Sequence, residues 1–222
     1  MYAFRKKTSN IAYAAPTGYT TNAFGAVVFD KTELPYPNVY AGGYGINVVA
    51  ADYAQYTSPA DDKLSGNTIH RVSMYKKSYY PSYNSPFAAG TVCTTPDMKQ
   101  NQHWGWRYMN DIDYHTGVDI AKSKGTPLYT VTNSGSIVYA GFTSGAGNYV
   151  MTLSNGNYVS YLHLDTITVA SYAQYSSRTQ VGTVGNTETT ANHLHINVSS
   201  TGTIAKNGRT FLDPLAFLPF GQ

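Results

Sequence analysis

The chain has 222 residues, which allows one large all-β domain or a domain of about 120 residues with an extension. Charged residues make up 12% of it, about half the usual fraction, while hydrophobic residues make up 42%, which is enough for a core. The net charge of +3 indicates an ordinary solvated surface, so no nucleic-acid specificity is expected. The low charge and the 21 tyrosines favour a protein that works outside the cytoplasm or inside a larger particle.

The single cysteine, Cys93, excludes a disulfide framework and a cysteine-rich metal site, and we expect it to be a small buried residue. No stretch approaches the ~20 apolar residues of a membrane span, so none is expected. The first residues are basic, but no apolar run of a signal peptide follows them. We therefore expect either that a signal has been removed or that the protein leaves its cell without one.

Residues 1–86 are rich in Tyr, Ala, Pro and Gly, with turn clusters at residues 35–38 and 41–45. Short β-prone pieces stand at residues 26–29 and 46–49, and the remainder indicates irregular structure. Residues 74–83 are predicted to form an extended connector. We expect residues 1–86 to be an attachment or assembly segment, although the pattern does not indicate its role.

From residue 87 onward the pattern predicts an antiparallel all-β domain that extends to residue 222. Asn155-Gly156 lies between two β-rich runs and is a strong hairpin signal, because this turn requires positive φ. Residues 213–218 are predicted to form a short closing helical turn. Six short strands without intervening helices are predicted, at residues 126–131, 135–141, 148–153, 158–164, 181–185 and 193–198.

Two motifs indicate a metal site. His193 and His195 are two residues apart in a β-prone run, so both point to one face of a strand. His115 and Asp119 add a nitrogen and an oxygen donor if the segment curls between them at Gly117. Two histidines and a carboxylate form a catalytic zinc set with one open position. Either histidine of the pair could bind the metal while the other reaches the substrate.

A fourth histidine, His163, ends the second strand of the predicted hairpin, where it could lie beside the strand of His193 and His195. Histidines without metal could act as general base or acid and stabilise a developing oxyanion. His70 and His103 lie outside this pattern and are expected to be satisfied or solvent-facing residues.

The stretch from Trp104 to Leu218 resembles the lysostaphin/LytM-type zinc endopeptidases of bacterial cell walls. The order and spacing of its motifs agree with that family over more than half of the chain. The resemblance rests on Gly105-Trp106-Arg107 and on the segments at residues 115–121, 124–131, 135–142, 147–150, 161–164, 180–187, 190–198 and 213–218.

The resemblance implies one zinc ion per chain, bound by His115, Asp119 and His195. It also implies that His163 and His193 are the catalytic pair, and that the substrate is a peptide bond of peptidoglycan cross-bridges or stem peptides.

Three positions near these motifs affect the details of the interpretation. Family members often have a tyrosine shortly before the HxxxD motif that helps to hold the oxyanion, and Tyr108 is the candidate, whereas Tyr114 is as easily a packing residue. Glu188 stands where a glycine is common, and Asn197 where many relatives have a glutamate. Both positions are expected to line the cleft edge or to surround the ligands, so these departures concern specificity rather than catalysis. The presence of all five key residues favours an active enzyme.

The predicted function is that of a peptidoglycan-cleaving zinc metalloendopeptidase, located outside the cell and facing the wall. The low charge and the Tyr-rich N-terminal segment favour a phage tail-tip lysin that contacts other virion proteins. A secreted bacterial autolysin or bacteriocin is the alternative setting. A second hypothesis, from a different functional class, is a latent or purely structural wall-binding module. In it the N-terminal part covers the site, and Asn101 is a conceivable fourth ligand.

Overall fold

The computed structural model describes residues 2–5, 17–18, 44–50, 52–57, 75–96, 102–109, 111–204 and 210–221. In this part the chain consists almost entirely of β-strands and turns. The strands are β1 (Tyr2–Arg5), β2 (Thr17–Gly18), β3 (Tyr44–Ala50), β4 (Tyr53–Thr57), β5 (Gly105–Met109), β6 (Asp111–His115), β7 (Val118–Ala121), β8 (Pro127–Tyr129), β9 (Gly135–Thr143), β10 (Gly147–Ser154), β11 (Asn157–Ile167), β12 (Gln174–Tyr175), β13 (Gln180–Val184), β14 (His193–Ser199) and β15 (Phe211–Leu212).

Among the described residues these strands form three sheets, and the pairings between named strands are antiparallel. The main sheet follows the order β12-β9-β10-β11-β13-β8, and β14 joins it by pairing with β11, β7 and β15. A smaller sheet has the order β2-β1-β3-β4, and β5 and β6 form a hairpin. The prediction of an antiparallel all-β fold is confirmed.

The hairpin between β10 and β11 turns at Asn155 and Gly156, as the sequence predicts. Their φ values are 51° and 73°, so both residues lie in the left-handed region that a two-residue turn of this kind requires. The strands on either side pair directly from Ser154 opposite Asn157 to Met151 opposite Ser160. This turn therefore sets the register of the two central strands.

Strand β11 changes partner part-way along its length. Residues 158–162 pair with β14, whereas residues 164–167 pair with β13. His163 lies at the change with φ of 64°, which is uncommon for a residue other than glycine. At this residue the edge of β11 passes from pairing with β14 to pairing with β13, so the sheet branches here.

The two faces of β14 have different environments. Leu194, Ile196 and Val198 are fully buried and belong to the main core, which also contains residues of β7, β10, β11 and β13. His193, His195 and Asn197 alternate with them and so lie on the opposite face. Packing of the apolar residues therefore decides which face carries the histidines.

The chain ends in a short closing turn. A 3-10 helix spans Pro214–Ala216, and the Asp213 carboxylate caps it by accepting from the Leu215 amide at 2.9 Å. This confirms the predicted helical turn. A second 3-10 helix spans Lys77–Tyr79. Neither of these described helices has the length and apolar character needed to cross a membrane.

Parts of the N-terminal segment contact the rest of the protein. In β4, the Gln55 amide donates to the Asp213 carboxylate at 2.8 Å and its side chain donates to the Trp104 carbonyl at 2.8 Å. Tyr83 is buried and packs against Phe217. The predicted strand at residues 46–49 lies within β3, whereas the predicted strand at residues 26–29 falls outside the described residues. A boundary after residue 86 stays a prediction.

Cys93 is buried, with 1% of its surface exposed, and its Sγ lies 3.7 Å from Ser85 Oγ. Burial raises the pKa of its thiol, so the reactive thiolate is disfavoured. The expectation of a small buried residue is confirmed.

Gly117 lies against the backbone of β14. The chain bends at Thr116-Gly117, as expected, but the glycine is required by this close approach and not by a left-handed φ. A Cβ atom at position 117 would lie 2.2 Å from the Ile196 carbonyl oxygen and 2.9 Å from Asn197 Cβ. Because backbone occupies this space, the added methyl group has no flexible neighbour to displace.

We expect Gly117→Ala to lower the free energy of unfolding by about 1–3 kcal/mol, the usual effect of overpacking. Gly221→Ala is the matched control, because its Cβ would meet its nearest neighbour at 3.5 Å, an ordinary contact. Urea denaturation followed by circular dichroism gives both values. Equal stability of the two variants would contradict the close packing of β7 against β14.

Candidate active site

Three donor-bearing residues converge where β6, β7 and β14 meet. His195 in β14 is the direct cross-strand partner of Asp119 in β7. His115 is the last residue of β6, and the two residues Thr116 and Gly117 connect it to β7. Cross-strand partners have adjacent side chains, so the strand register places one histidine beside the carboxylate and the short turn returns the other to it.

The donor atoms of this group are close together. Asp119 Oδ1 lies 3.1 Å from His115 Nε2 and 2.9 Å from His195 Nδ1, and the two nitrogens are 2.9 Å apart. Ligand atoms on a tetrahedral zinc, with bonds of about 2.0–2.1 Å, lie about 3.3 Å apart. The spacing of the three atoms therefore fits a small metal ion.

The hydrogen bonds of His115 identify which of its nitrogens is free to bind a cation. Its Nδ1 lies 2.7 Å from the His103 carbonyl oxygen, which only accepts, so Nδ1 carries the proton and donates. In the neutral ring Nε2 then carries a lone pair and no proton. This nitrogen faces the Asp119 carboxylate, which is also an acceptor. Two acceptors directed at each other call for a cation between them, so His115, Asp119 and His195 are a group that could hold a metal.

The ionisation states of the group also suit a metal. Burial lowers the pKa of His115 to about 4, which keeps the ring neutral near pH 7. Burial alone would raise the pKa of Asp119, but the contacts with His115 and His195 outweigh it and lower this pKa. Neutral imidazole and ionised carboxylate are the forms in which these side chains bind metals.

Two further contacts hold the group in place. Arg107 in β5 lies 3.2 Å from Asp119 Oδ2 through Nη1, so it engages the carboxylate oxygen that faces away from the histidines. Thr116 Oγ1 lies 3.3 Å from His195 Nε2. Partners of this kind orient metal ligands and fix the histidine tautomer.

His163 and His193 lie beside the group as a second pair. Their ring centroids are 5.0 Å apart, and the His163 ring is 5.9 Å from that of His195. His193 Nε2 is 3.6 Å from Asp119 Oδ1, which is longer than the 2.9 Å from His195. His195 is therefore the histidine of β14 that completes the donor group, and His193 lies at its edge.

Backbone carbonyls set the tautomers of this second pair. His163 Nδ1 donates to the Thr187 carbonyl at 2.8 Å, and His193 Nδ1 donates to the Ala191 carbonyl at 2.9 Å. In each neutral ring Nε2 is consequently unprotonated and able to accept a proton. Burial, followed by the neighbouring His195, lowers the pKa of His163 to about 4.

A single loop supplies both of these carbonyls. Thr187 and Ala191 belong to the connection between β13 and β14. The backbone amide of His163 also donates to the Ala146 carbonyl at 3.0 Å, at the point where β11 changes partner. The left-handed conformation of His163 is held by these contacts, and strained residues of this kind concentrate at functional sites.

With this geometry established, the comparisons with known proteins give the family. A sequence profile described as peptidase family M23 matches residues 113–207, which contain all five clustered residues. The lipoprotein NlpD of Yersinia enterocolitica is 33% identical over 103 residues, which cover 46% of this chain and 98% of that protein. The chain belongs to peptidase family M23.

Other M23-like proteins match only in part. The murein hydrolase activator NlpD of Salmonella dublin is 33% identical over 61% of this chain and 38% of its own length. The peptidoglycan DD-endopeptidase ShyA of Vibrio cholerae is 39% identical over 36% of this chain and 19% of its own length. This chain therefore spans well under two thirds of these two relatives. The catalytic domain of the antimicrobial peptidase lysostaphin from Staphylococcus simulans is 30% identical, with 46% of this chain and 77% of that chain covered and a TM-score of 0.42.

The structure brings together five of the six site residues that the sequence predicts: His115, Asp119, His163, His193 and His195. The sixth, Tyr108, lies in β5 opposite Ile112, and its side chain is outside the described part. Tyr114 is buried, and burial raises the pKa of its hydroxyl, which agrees with a packing role. His70 and Asn101 fall outside the described residues.

Several residues that support the donor group and the histidine pair are not indicated by the sequence. The sequence signal for Arg107 is its place in the Gly105-Trp106-Arg107 motif, which does not by itself indicate a contact with Asp119. His103 is expected from the sequence to lie outside the site, but its backbone carbonyl accepts from His115 Nδ1. The carbonyls of Thr187 and Ala191 have no sequence signal, because every residue carries one.

The two histidines of β14 can be separated by metal binding. We expect His195→Ala to weaken zinc binding by more than about a hundredfold, because losing a ligand exceeds the 10–100-fold effect of outer partners. His193→Ala, on the same face two residues away, should change the affinity by less than about tenfold. Competition titration with a chromophoric chelator measures both constants, and the reverse order would show that His193 is the ligand.

Proposed function

We propose that this chain is a zinc-dependent endopeptidase that hydrolyses peptide bonds of bacterial peptidoglycan. The observation that carries the proposal is the convergence of three metal-type donors next to two histidines whose Nδ1 atoms are both engaged by backbone carbonyls. This is the arrangement that a hydrolase needs when a metal activates its water and separate bases move the protons. Membership of family M23 supports the same chemistry.

His115, Asp119 and His195 would hold one zinc ion per chain. The donor set of two imidazoles and one carboxylate suits zinc and leaves a coordination position for substrate or water. When bound, zinc supplies Lewis acidity, which polarises a peptide carbonyl and lowers the pKa of a water molecule. Arg107 would keep the Asp119 carboxylate oriented while this happens.

His163 and His193 would move the protons. In the neutral form of each ring Nδ1–H donates to a backbone carbonyl and Nε2 carries the lone pair, so this form of either ring would take a proton from the attacking water. The protonated ring would then give this proton to the leaving amine. A protonated imidazole at this place also stabilises negative charge that develops on the carbonyl oxygen.

Tyr108 remains part of the proposal as an oxyanion donor. Its support is the family resemblance, in which a tyrosine shortly before the HxxxD motif helps to hold the oxyanion, and Tyr108 lies in β5, shortly before that motif. A phenol hydroxyl on this strand would act together with the histidines by hydrogen bonding to the carbonyl oxygen.

The substrate proposal draws on the names of the relatives. ShyA is named a peptidoglycan DD-endopeptidase, and lysostaphin an antimicrobial peptidase. For this chain we propose peptide bonds of stem peptides or cross-bridges, cleaved outside the cytoplasm by a protein that faces the wall. A phage tail-tip lysin that contacts other virion proteins is our proposed setting, supported by the low charge and the Tyr-rich N-terminal segment. A secreted autolysin or bacteriocin is the alternative.

A second candidate function is a latent or activating role without hydrolysis. It is favoured by one observation, namely that the NlpD relative of Salmonella dublin is named a murein hydrolase activator. The contacts of Gln55 with Trp104 and Asp213 also connect the N-terminal part to the segment that carries the His103 carbonyl. A covered or non-hydrolytic site would bind zinc without cutting the wall.

Hydrolysis is tested on purified cell walls by mass analysis of the released muropeptides. We expect new amino termini from one type of peptide bond, lost after metal removal and restored by zinc. His163→Ala and His193→Ala should each lower the rate roughly 10²–10⁴-fold, the usual contribution of an acid–base residue, while retaining one zinc per chain. Intact walls with zinc-loaded wild type would contradict the enzyme and favour the second candidate.

Latency is tested by removing residues 1–74. Tyr80 and Tyr83 are retained in this variant because both pack against Phe217. We expect no gain of specific activity and a lower thermal midpoint, since Asp213 loses the hydrogen bond from Gln55. Bound zinc at one per chain is the control for an intact site. Activity that emerges only after the truncation would show that the N-terminal part blocks the site.

A further inference from the structure

Glu188 has an unusual conformation for its residue type. Its φ is 60°, in the left-handed region that glycine enters freely and other residues enter at a cost of the order of 1 kcal/mol. The resemblance to cell-wall endopeptidases implies a glycine at this position, and this φ value accounts for that preference. A glutamate at this position has backbone strain that a glycine would not have, which is a reason to look for a function of its carboxylate.

The carboxylate of Glu188 is held between two loops that both contact His163. Glu188 follows Thr187, whose carbonyl accepts from His163 Nδ1. Its Oε2 accepts from the Gly145 amide at 3.2 Å, and the next residue, Ala146, accepts from the His163 amide through its carbonyl. Glu188 is exposed, so its carboxylate stands at the rim of the site rather than inside it.

The charge of Glu188 lacks a protein counterion within the described part of the chain. The two cations that form ion pairs near the sheet do so with other carboxylates, because Arg107 pairs with Asp119 and Lys124 pairs with Asp165 at 3.0 Å. One accepted amide hydrogen bond leaves most of the carboxylate's capacity unused. An exposed negative charge without an ion-pair partner, next to a residue that supports His163, attracts a cation.

We propose that Glu188 is a specificity-determining residue that binds a cationic amino group of the substrate near the scissile bond. The inference rests on the proposed peptidoglycan endopeptidase function and deepens it. Two sources supply such a group: the free side-chain amine of an uncrosslinked diamino acid and the free amino terminus of a bridge peptide. In both cases an ammonium group donates to a carboxylate in a charge-assisted hydrogen bond.

A substitution can remove the charge of Glu188 and keep its hydrogen bond with the Gly145 amide. In Glu188→Gln the amide oxygen is still able to accept from Gly145, so the loop keeps its support while the ionic attraction is lost. Glu188→Gly removes the carboxylate and relieves the strain of the left-handed backbone conformation. A gain in stability of this variant measures the structural effect of residue 188 alone. Asp52→Asn is the control for net charge, because Asp52 is exposed at the turn between β3 and β4.

The test compares kcat/KM for matched peptides with a free or an acetylated amine, separately for the side-chain amine and the amino terminus. Wild type and Asp52→Asn should prefer one free amine roughly five- to thirtyfold, with the preference falling as salt rises. Glu188→Gln and Glu188→Gly should lose this preference, mainly through KM. The amine whose acetylation lowers kcat/KM in wild type, and not in Glu188→Gln, is the ammonium group that Glu188 binds.

Two results would overturn the inference: no preference in wild type, or an equal preference in wild type and Glu188→Gln. If wild type cleaves none of the peptides, the proposed enzyme function fails separately, and binding of the same peptides by fluorescence anisotropy decides the role of Glu188. Tighter binding of the free amine that Glu188→Gln abolishes would sustain the role. Equal binding of both forms would remove it.

Discussion

The cross-strand pairing of His195 with Asp119 is the constraint on which the site depends. Because side chains alternate along a strand, a slip of one residue between β7 and β14 would turn the histidines of β14 into the core. Leu194 and Ile196 prevent that slip, since both are fully buried on the other face. His115 joins the pair through a two-residue bend whose glycine packs against the Ile196 carbonyl. The apolar core and the donor group are thus set by one register.

The backbone also sets the chemical state of the histidines. Three carbonyls, those of His103, Thr187 and Ala191, accept from the Nδ1 atoms of His115, His163 and His193. In its neutral form each of these rings therefore has its lone pair on Nε2, which is a candidate metal ligand in His115 and a candidate proton acceptor in the other two. The fork of the sheet at His163 brings β13 and its loop to the side of β14, so the supports of both bases come from one connection.

Much of this arrangement could be predicted from the sequence. The Asn155-Gly156 hairpin, the six strands around it and the shared face of His193 and His195 follow from local patterns that the structure confirms. Strands β5 and β6 were not predicted, because neither has a long apolar alternation. The contact of Arg107 with Asp119 and the partner change of β11 depend on tertiary packing. The choice of His195 over His193 as the metal ligand follows only from the family resemblance and stays a prediction, although His195 Nδ1 lies nearer to Asp119 Oδ1 than His193 Nε2 does.

The most direct test of the central claim is X-ray diffraction from crystals of the zinc-loaded protein, with data collected on both sides of the zinc absorption edge. The account predicts one strong anomalous peak per chain, bounded by His115 Nε2, Asp119 Oδ1 and His195 Nδ1, with His193 and His163 beside it. A peak bounded by other residues, or no peak at this cluster in crystals that contain zinc, would contradict it.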